Sequence, residues 1–467
     1  MAGLGQAPWS LWPVALAGYA GLLALMVRAR RPGWCALAAG LGHFALVLHW
    51  ITEPFLVDAA ATGFLAPIAL IGMALGMAIF WWAGLTLGAR VGGALGAAAG
   101  LGLAELMRSY VLTGFPWALP GHVLIESPAL PAAAWGGAHG LGLAVLLGAA
   151  LVAMGRVPSA AAGVVVWMLP LGAGLAVPDA PTPDADAPVV RLIQPNAPQH
   201  LKWDPEWIGI FFSRGLELTA RAGDVDVVVW PETAMPVLLD RSDDVRPMLA
   251  RAAVAPVLIG VQRYGPQGSP RNAAALLTGP RGVVGAIYDK HRLVPFGEYL
   301  PFPALVARVG LAPLAAQLAG TFAAGPGPRT IDLPGIGPVL PLICYEAIFP
   351  QDLWRLPDRP RAILHLTNDA WFGTFAGPAQ HLALARLRAA ESGLPVLRAA
   401  NTGVSAVIDA RGGLRDALPL GVAGALDSAL PPAADATAYG RLGDWPALAA
   451  MVALLATGII ACARVRT

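Results

Sequence analysis

The chain has 467 residues, 56% of them hydrophobic and 13% charged, with a formal net charge of +2 and a mean hydropathy of +0.61. Soluble domains carry about 25% charged residues, so this composition argues against a chain solvated by water alone. The small charge, with no basic run, excludes a nucleic-acid partner held through phosphates, and no Cys/His spacing suits a metal.

Six apolar runs, at about 10–28, 34–51, 62–88, 91–112, 134–155 and 158–177, each approach the ~20 residues that cross about 30 Å of hydrocarbon as a helix. They predict a transmembrane helical domain over 1–178. The Pro/Asp-rich stretch 179–187 reads as a linker. Residues 188–432 alternate short β-rich runs with helical patterns, as a soluble α/β domain does, and the run 445–463 predicts a closing span. Arg28, Arg30, Arg31, Arg90, Arg156, Arg464 and Arg466 fall in connections on one side of this count, which the positive-inside rule makes cytoplasmic. The connection 52–61, with Glu53 and Asp58 and no base, faces the other way, as do the 113–133 loop and the soluble domain. Six spans put the N-terminus outside too, yet Met1–Ser10 has no basic region and no cleavable signal. A further helix upstream, or one lost, is expected; the alternative is that a short neutral tail crosses.

Basic residues are almost all arginine, and only Lys202 and Lys290 are lysines, although either side chain serves as an ordinary surface cation. Three strand ends in the soluble domain finish in polar residues. Asp226-Val-Val-Val-Trp-Pro-Glu232 is a buried run stopped by a proline, which cannot donate to a sheet ladder, with a carboxylate directly after it. Ligand groups of α/β sheets gather beyond such C-terminal ends; alternatively Glu232 is a helix cap or a surface ion pair. Lys290 follows the apolar strand 283–288 and opens a turn that reaches Glu298, which alone also reads as a solvated charged turn. The strand 338–343 delivers Cys344 to a turn, in the layout of a nucleophile elbow. Cys344 is the single cysteine of this domain; Cys35 and Cys462 fall in spans. A thiolate is the competent nucleophile, and a nearby cation such as Lys290 favours it. The alternative is a buried cysteine acting as a small apolar residue.

The order of Glu in Trp230-Pro-Glu232, Lys in Asp289-Lys-His-Arg-Leu-Val-Pro-Phe-Gly-Glu298 and Cys in Cys344-Tyr-Glu346 resembles the nitrilase superfamily. The Leu-Val-Pro-Phe-Gly-Glu form, the spans on both sides and Asn368-Asp-Ala-Trp-Phe-Gly373 resemble the apolipoprotein N-acyltransferase family in particular. Gln380-His381, Ala385-Arg-Leu-Arg388, Asn401-Thr-Gly403, Leu201-Lys-Trp-Asp204 and Thr113-Gly-Phe-Pro-Trp117 continue the likeness across nearly the whole chain. The departure is at the N-terminus, where that family usually shows one more helix.

The resemblance implies a polytopic α-helical membrane domain joined to a nitrilase-type αββα sandwich on the periplasmic side of a bacterial inner membrane. It implies ping-pong acyl transfer through a thioester, from the sn-1 chain of a phospholipid to the N-terminal diacylglyceryl-cysteine of an apolipoprotein, with no metal and no cofactor. Glu232 is then the general base, Lys290 the oxyanion and orienting group, and Cys344 the nucleophile. Glu298, Tyr345 (through its N–H) and Glu346 support them. Trp117 and Trp203 are candidate lipid or positioning contacts, or simple packing, and His381 and Asn368 read as structural. The apolar stretches 300–327 and 234–240 are expected to be lids dipping into the bilayer, or else packed on the domain. A membrane-anchored amidase using water as acceptor and a non-enzymatic scaffold are the competing readings. Several spans argue against the first, and the intact triad against the second.

Overall fold

The computed structural model describes residues 1–266, 268–302, 308, 322–354 and 356–466. By its contacts the chain divides into two units: Met1–Ala180 with Trp371–Gly393 and Ala434–Thr467, and Pro181–Ala370 with Leu394–Ala433. The stretch 371–393, which the sequence sets within the β-rich segment 188–432, therefore groups with the helical unit.

The long helices of the first unit are Trp12–Arg28, Pro32–Val47, Ala66–Arg108, Ala133–Ala153, Val157–Ala176, Ala376–Ser392 and Trp445–Arg466. The stretches Ala59–Arg108, Leu130–Ala153, Val157–Ala176 and Trp445–Arg464 are long and apolar enough to cross a membrane, and the pair Pro32–Val47 with His49–Leu56, bent by 62°, passes the same test when taken together. Ala66–Arg108 is a hairpin of two arms, because Gly92 (φ −138°) and Gly93 (φ +59°) leave helical geometry. A Cβ on Gly88 would lie 2.0 Å from the carbonyl oxygen of Gly96, and one on Gly84 2.3 Å from that of Gly100. Small residues at such contacts let apolar helices meet backbone to backbone. The two arms correspond to the separate runs 62–88 and 91–112. Outer faces carry exposed Trp34, Phe64, Ile68, Ile71 and Leu169, a surface suited to lipid rather than water.

The arginine-bearing ends gather at one end of this unit. A Cβ on Gly155 would sit 3.2 Å from the Arg28 guanidinium, and one on Gly33 would touch Trp82 (3.0 Å) and Thr86 (3.6 Å), one turn short of Arg90. Gly92 packs on Gly458, and Gly93 on Cys462, two residues before Arg464. Elsewhere in the unit Glu105 and Arg108 form a fully buried ion pair. Arg108 also donates to the carbonyls of Phe115 and, at 2.8 Å, Trp117, so a charge pair fixes the Thr113–Trp117 loop.

The second unit holds two six-stranded sheets, in the orders β12-β1-β2-β3-β4-β5 and β11-β10-β9-β8-β7-β6. The first is built from β1 (Val189–Gln194), β2 (Val227–Val229), β3 (Val257–Tyr264), β4 (Pro270–Thr278), β5 (Val283–Asp289) and β12 (Gly424–Ala429). The second comprises β6 (Ile331–Leu333), β7 (Gly337–Ile343), β8 (Ala362–Thr367), β9 (Val396–Ala400), β10 (Ala406–Ile408) and β11 (Leu414–Ala417). β1 to β3 run parallel, as do β7 to β9, so β2, β7 and β8 point their C-terminal ends the same way within their sheets. The sheets meet through β1 with β9, β4 with β7, β5 with β6 and β11 with β12. Pro341 is tolerated within β7 because β6 pairs only with Gly337–Val339, leaving the proline without a ladder partner on that side. The helix Ile208–Thr219 covers the first sheet, with Gly215 under the Trp230 ring. This is the two-sheet, nitrilase-type arrangement expected from the sequence.

Residues 234–240 are no lid. Met235 and Leu239 are buried in the core of the first sheet with Phe212, Trp230 and Val261, because their apolar side chains find more contact there than a solvated loop offers. The other expected lid, 300–327, lies largely outside the described residues.

Gly88→Val should force the hairpin arms apart and cost about 1–3 kcal/mol, the usual range for overpacking. Gly76→Ala, where nothing lies within 4 Å of the new Cβ, should be neutral or slightly stabilising. Thermal melting of the two variants in detergent checks this.

Candidate active site

Glu232 is placed by the end of β2. Trp230 anchors that end, its indole N–H donating to Thr219 Oγ1 at 3.0 Å, and Pro231 stops the ladder. The chain then turns sharply, with Thr233 at φ +45°. β3 accommodates the turn through Gly260, where a Cβ would lie 2.3 Å from the Pro231 oxygen and 2.6 Å from the Glu232 Cα. The N–H groups of Ala234 and Met235 donate to the Gly260 carbonyl at 2.8 and 3.2 Å. The buried carboxylate is held on both oxygens. Oε1 accepts from Asn272 Nδ2 at 2.7 Å and Lys290 Nζ at 3.3 Å, and Oε2 from the Asn368 N–H at 3.0 Å.

Lys290 follows β5 and is 1% exposed. Asp289 before it is gripped by Arg263 and Arg271 at 2.7 and 2.8 Å, and the Lys290 N–H donates to the Asn272 carbonyl at 2.9 Å. Its ammonium lies 2.7 Å from Glu298 Oε1, while Glu298 Oε2 accepts the Val294 N–H at 2.8 Å. Burial opposes the charge, but Glu298 and Glu232 outweigh it and hold the ammonium protonated above its usual range. A group held so firmly as a cation donates hydrogen bonds and does not act as a base.

Cys344 opens the 3-10 turn Cys344–Ile348 directly after β7. Its φ of +51° lies where non-glycine residues are uncommon, and several buried bonds maintain it. Glu346 accepts from the N–H groups of Ile343 (2.7 Å), His291 (2.7 Å) and Arg292 (3.2 Å) and from the Tyr288 hydroxyl (3.1 Å). His365 meets the Cys344 carbonyl at 3.1 Å through Nε2, and Arg398 meets its Nδ1 at 2.7 Å. A guanidinium only donates, so Nδ1 accepts and Nε2–H donates to Cys344. Arg398 is also paired with Asp369, which accepts from Thr367 Oγ1 at 3.0 Å. Burial and the Glu232 charge push the thiol pKa up, against the opposing pull of Lys290 and a hydrogen bond with Thr367. The resting group is therefore a thiol that needs a base.

Beneath the turn His291 bridges Glu346 Oε1 at 2.6 Å and Asp352 Oδ2 at 3.0 Å. Burial disfavours its charge, but the two carboxylates raise its pKa to about 9. Arg292 forks onto Asp352 with both bonds at 2.5 Å.

The structure thus brings Glu232, Lys290, Cys344, Glu298 and Glu346 together between the strand ends. The Tyr345 ring packs edge-on against Phe349, 5.0 Å between centroids. Trp203 is 44% exposed and borders a small, mostly apolar pocket with Lys202, Ile208, Phe211 and Met235, beside Thr233. Trp117 belongs to the helical unit and is buried there, its indole N–H on Gln380 at 2.7 Å. His381 packs against Trp117 and Phe372. Asn368, read as structural, holds the Glu232 carboxylate through its main-chain N–H. Asn272, Gly260, His365 and Arg398 were not singled out by motif, since each acts from a neighbouring strand. Among the described residues no His/Cys/Asp/Glu group suits a metal.

The sequence matches the apolipoprotein N-acyltransferase N-terminal domain over residues 1–151 and carbon-nitrogen hydrolase over residues 149–421. A relative from Caulobacter vibrioides named apolipoprotein N-acyltransferase is 39% identical, covering 100% of this chain and 93% of its own. One of the same name from Rhodopseudomonas palustris is 34% identical, covering 97% and 92%. Among solved structures, an amidase from Nesterenkonia sp. is 19% identical with a TM-score of 0.38, covering 53% of this chain and 92% of that one.

Two outcomes follow from this geometry. Gly260→Ala should displace the Glu232 turn and lower activity by roughly tenfold or more, since small misplacements of a base are costly, while the fold is retained; steady-state rates and circular dichroism check it. The folded pKa of His291, about 9, lies above its ordinary 6.5. Its bound proton therefore stabilises fully below pH 6.5, and this contribution fades as the pH rises through 9. His291→Gln should cost about 1–3 kcal/mol at pH 6 and flatten the decline of melting temperature between pH 6.5 and 9.

Proposed function

The chain belongs to the apolipoprotein N-acyltransferase family, and on that premise we propose that Cys344 carries an acyl group from a phospholipid to the N-terminal amine of a diacylated apolipoprotein. The enzyme is an acyltransferase of the multi-pass inner-membrane type. The observation that carries the mechanistic reading is the buried Glu232–Lys290–Cys344 cluster in a chain whose other unit is a set of membrane-crossing helices. Both substrates hold acyl chains in the bilayer, and exposing such a chain to water costs about 0.8 kcal/mol per CH₂. An amidase acting on small soluble amides needs no such helices and is less well supported.

In the first half-reaction Glu232 takes the proton of the Cys344 thiol, and the sulfur attacks the sn-1 ester carbonyl of the donor. The developing oxyanion is met by the Lys290 ammonium and the Tyr345 N–H. Collapse breaks the ester C–O bond, and the leaving alkoxide recovers the proton from Glu232 as lysophospholipid departs. In the second, the free α-amine of the diacylglyceryl-cysteine attacks the thioester and gives its proton to Glu232. The C–S bond breaks and the Cys344 thiolate is reprotonated, leaving an amide. Glu298 keeps Lys290 charged and aimed, and Glu346 holds the turn that presents the sulfur. Trp203, 44% exposed at the rim of the pocket, is the residue we assign to a lipid chain. The gathered arginines of the first unit fit a cytoplasmic face, and the reading we propose has the catalytic unit working on the periplasmic side.

Intact mass after incubation with phosphatidylethanolamine and no acceptor tests this. The parent protein should gain one hydroxylamine-sensitive acyl group that Cys344→Ala lacks. Lys290→Met should slow its appearance by about a hundredfold to a thousandfold, the usual cost of an oxyanion donor. No adduct on a parent protein with a reduced thiol would sink the phospholipid-donor mechanism.

A further inference from the structure

Lys202, one of the chain's two lysines, has no part in the mechanism above. Yet it is 7% exposed and lies against the base. Its Nζ donates to the main-chain oxygen of Glu232 at 3.2 Å and lies 3.4 Å from Thr233 Oγ1. It also sits 5.5 Å from the centroid of the Trp203 ring, on the wall of the cavity beside the site.

Both acceptors belong to the turn that aims the Glu232 carboxylate. Thr233 holds that turn at φ +45°, a region that a β-branched residue rarely adopts. Such a conformation persists only where its surroundings over-determine it. Gly260 makes room for the turn, and Lys202 is the side chain that ties it down.

We propose that Lys202 is a positioning residue for Glu232: its ammonium pins the Glu232–Thr233 turn and adds a second positive charge beside the Cys344 thiol. The inference rests on Glu232 acting as base toward Cys344. Burial lowers the Lys202 pKa to about 8, against the pull of Glu232 and Cys344, and these two are the titratable groups that face it. Lys290, on the same carboxylate, keeps its proton to higher pH. Loss of the Lys202 charge therefore limits acylation on the alkaline side.

The test uses full-length protein in lipid–detergent micelles carrying Cys35→Ser and Cys462→Ser, so that alkylation by iodoacetamide reports Cys344. Acylation by phosphatidylethanolamine is followed in parallel from pH 6 to 9.5. Lys202→Met should slow both reactions at pH 7 by about tenfold or more, a fraction of what a general base contributes, with the melting temperature little changed. Lys202→Arg restores a cation that does not titrate in this range. It should recover much of the rate and lose the fall in acylation that the parent shows above about pH 8. Equal alkylation in the parent and Lys202→Met, or an unchanged alkaline fall in Lys202→Arg, overturns the proposal. If Lys202→Met does not fold, the Lys202→Arg profile decides. A parent that alkylates but never acylates refutes the phospholipid-donor reading instead, and the alkylation comparison still tests Lys202.

Discussion

The reactive centre depends on keeping one ammonium charged where water does not reach. An isolated buried charge is costly enough that a lysine normally sheds its proton instead. Here Lys290 lies between two carboxylates, Glu298 at 2.7 Å and Glu232 at 3.3 Å, and its proton is secured. The unequal distances divide the labour. The nearer carboxylate serves the cation, and the farther one, steadied by Asn272 and Asn368, is the one we propose exchanges a proton with sulfur. Removing either partner of such a pair leaves an uncompensated charge, so Glu232, Lys290 and Glu298 form one electrostatic unit rather than three separate contributions.

Behind this unit the backbone of Cys344 is fixed by groups that touch no substrate. Glu346 gathers Tyr288, His291, Arg292 and Ile343, and the His365–Arg398–Asp369 chain secures the Cys344 carbonyl. A cysteine at φ +51° would relax without them. Preorganisation of this kind is laid down during folding and need not be created at the moment of reaction.

The parts of the site that were legible in the sequence share one property: each ends a strand and is punctuated locally. Pro231 marks where β2 stops, and Cys344-Tyr-Glu346 carries both the proposed nucleophile and its own brace within three residues. The apolar runs likewise announced the helices, even the two arms that meet at Gly92 and Gly93. What stayed hidden is set by register. Asn272 reaches Glu232 because β4 pairs antiparallel with both β3 and β5, and Gly260 underlies the Glu232 turn because β2 pairs with β3. No local pattern encodes these pairings. The 234–240 stretch misled for a related reason: hydrophobicity says that a segment avoids water, but not whether it finds lipid or a protein core.

The grouping of residues 371–393 with the helical unit gives the chain an interleaved connectivity. It passes between the two units four times, near residues 180, 370, 393 and 433. The β-rich segment therefore cannot be lifted out as a contiguous stretch without carrying along a helix whose neighbours are encoded elsewhere. For such a chain, exchange of one contiguous gene segment cannot replace either unit whole.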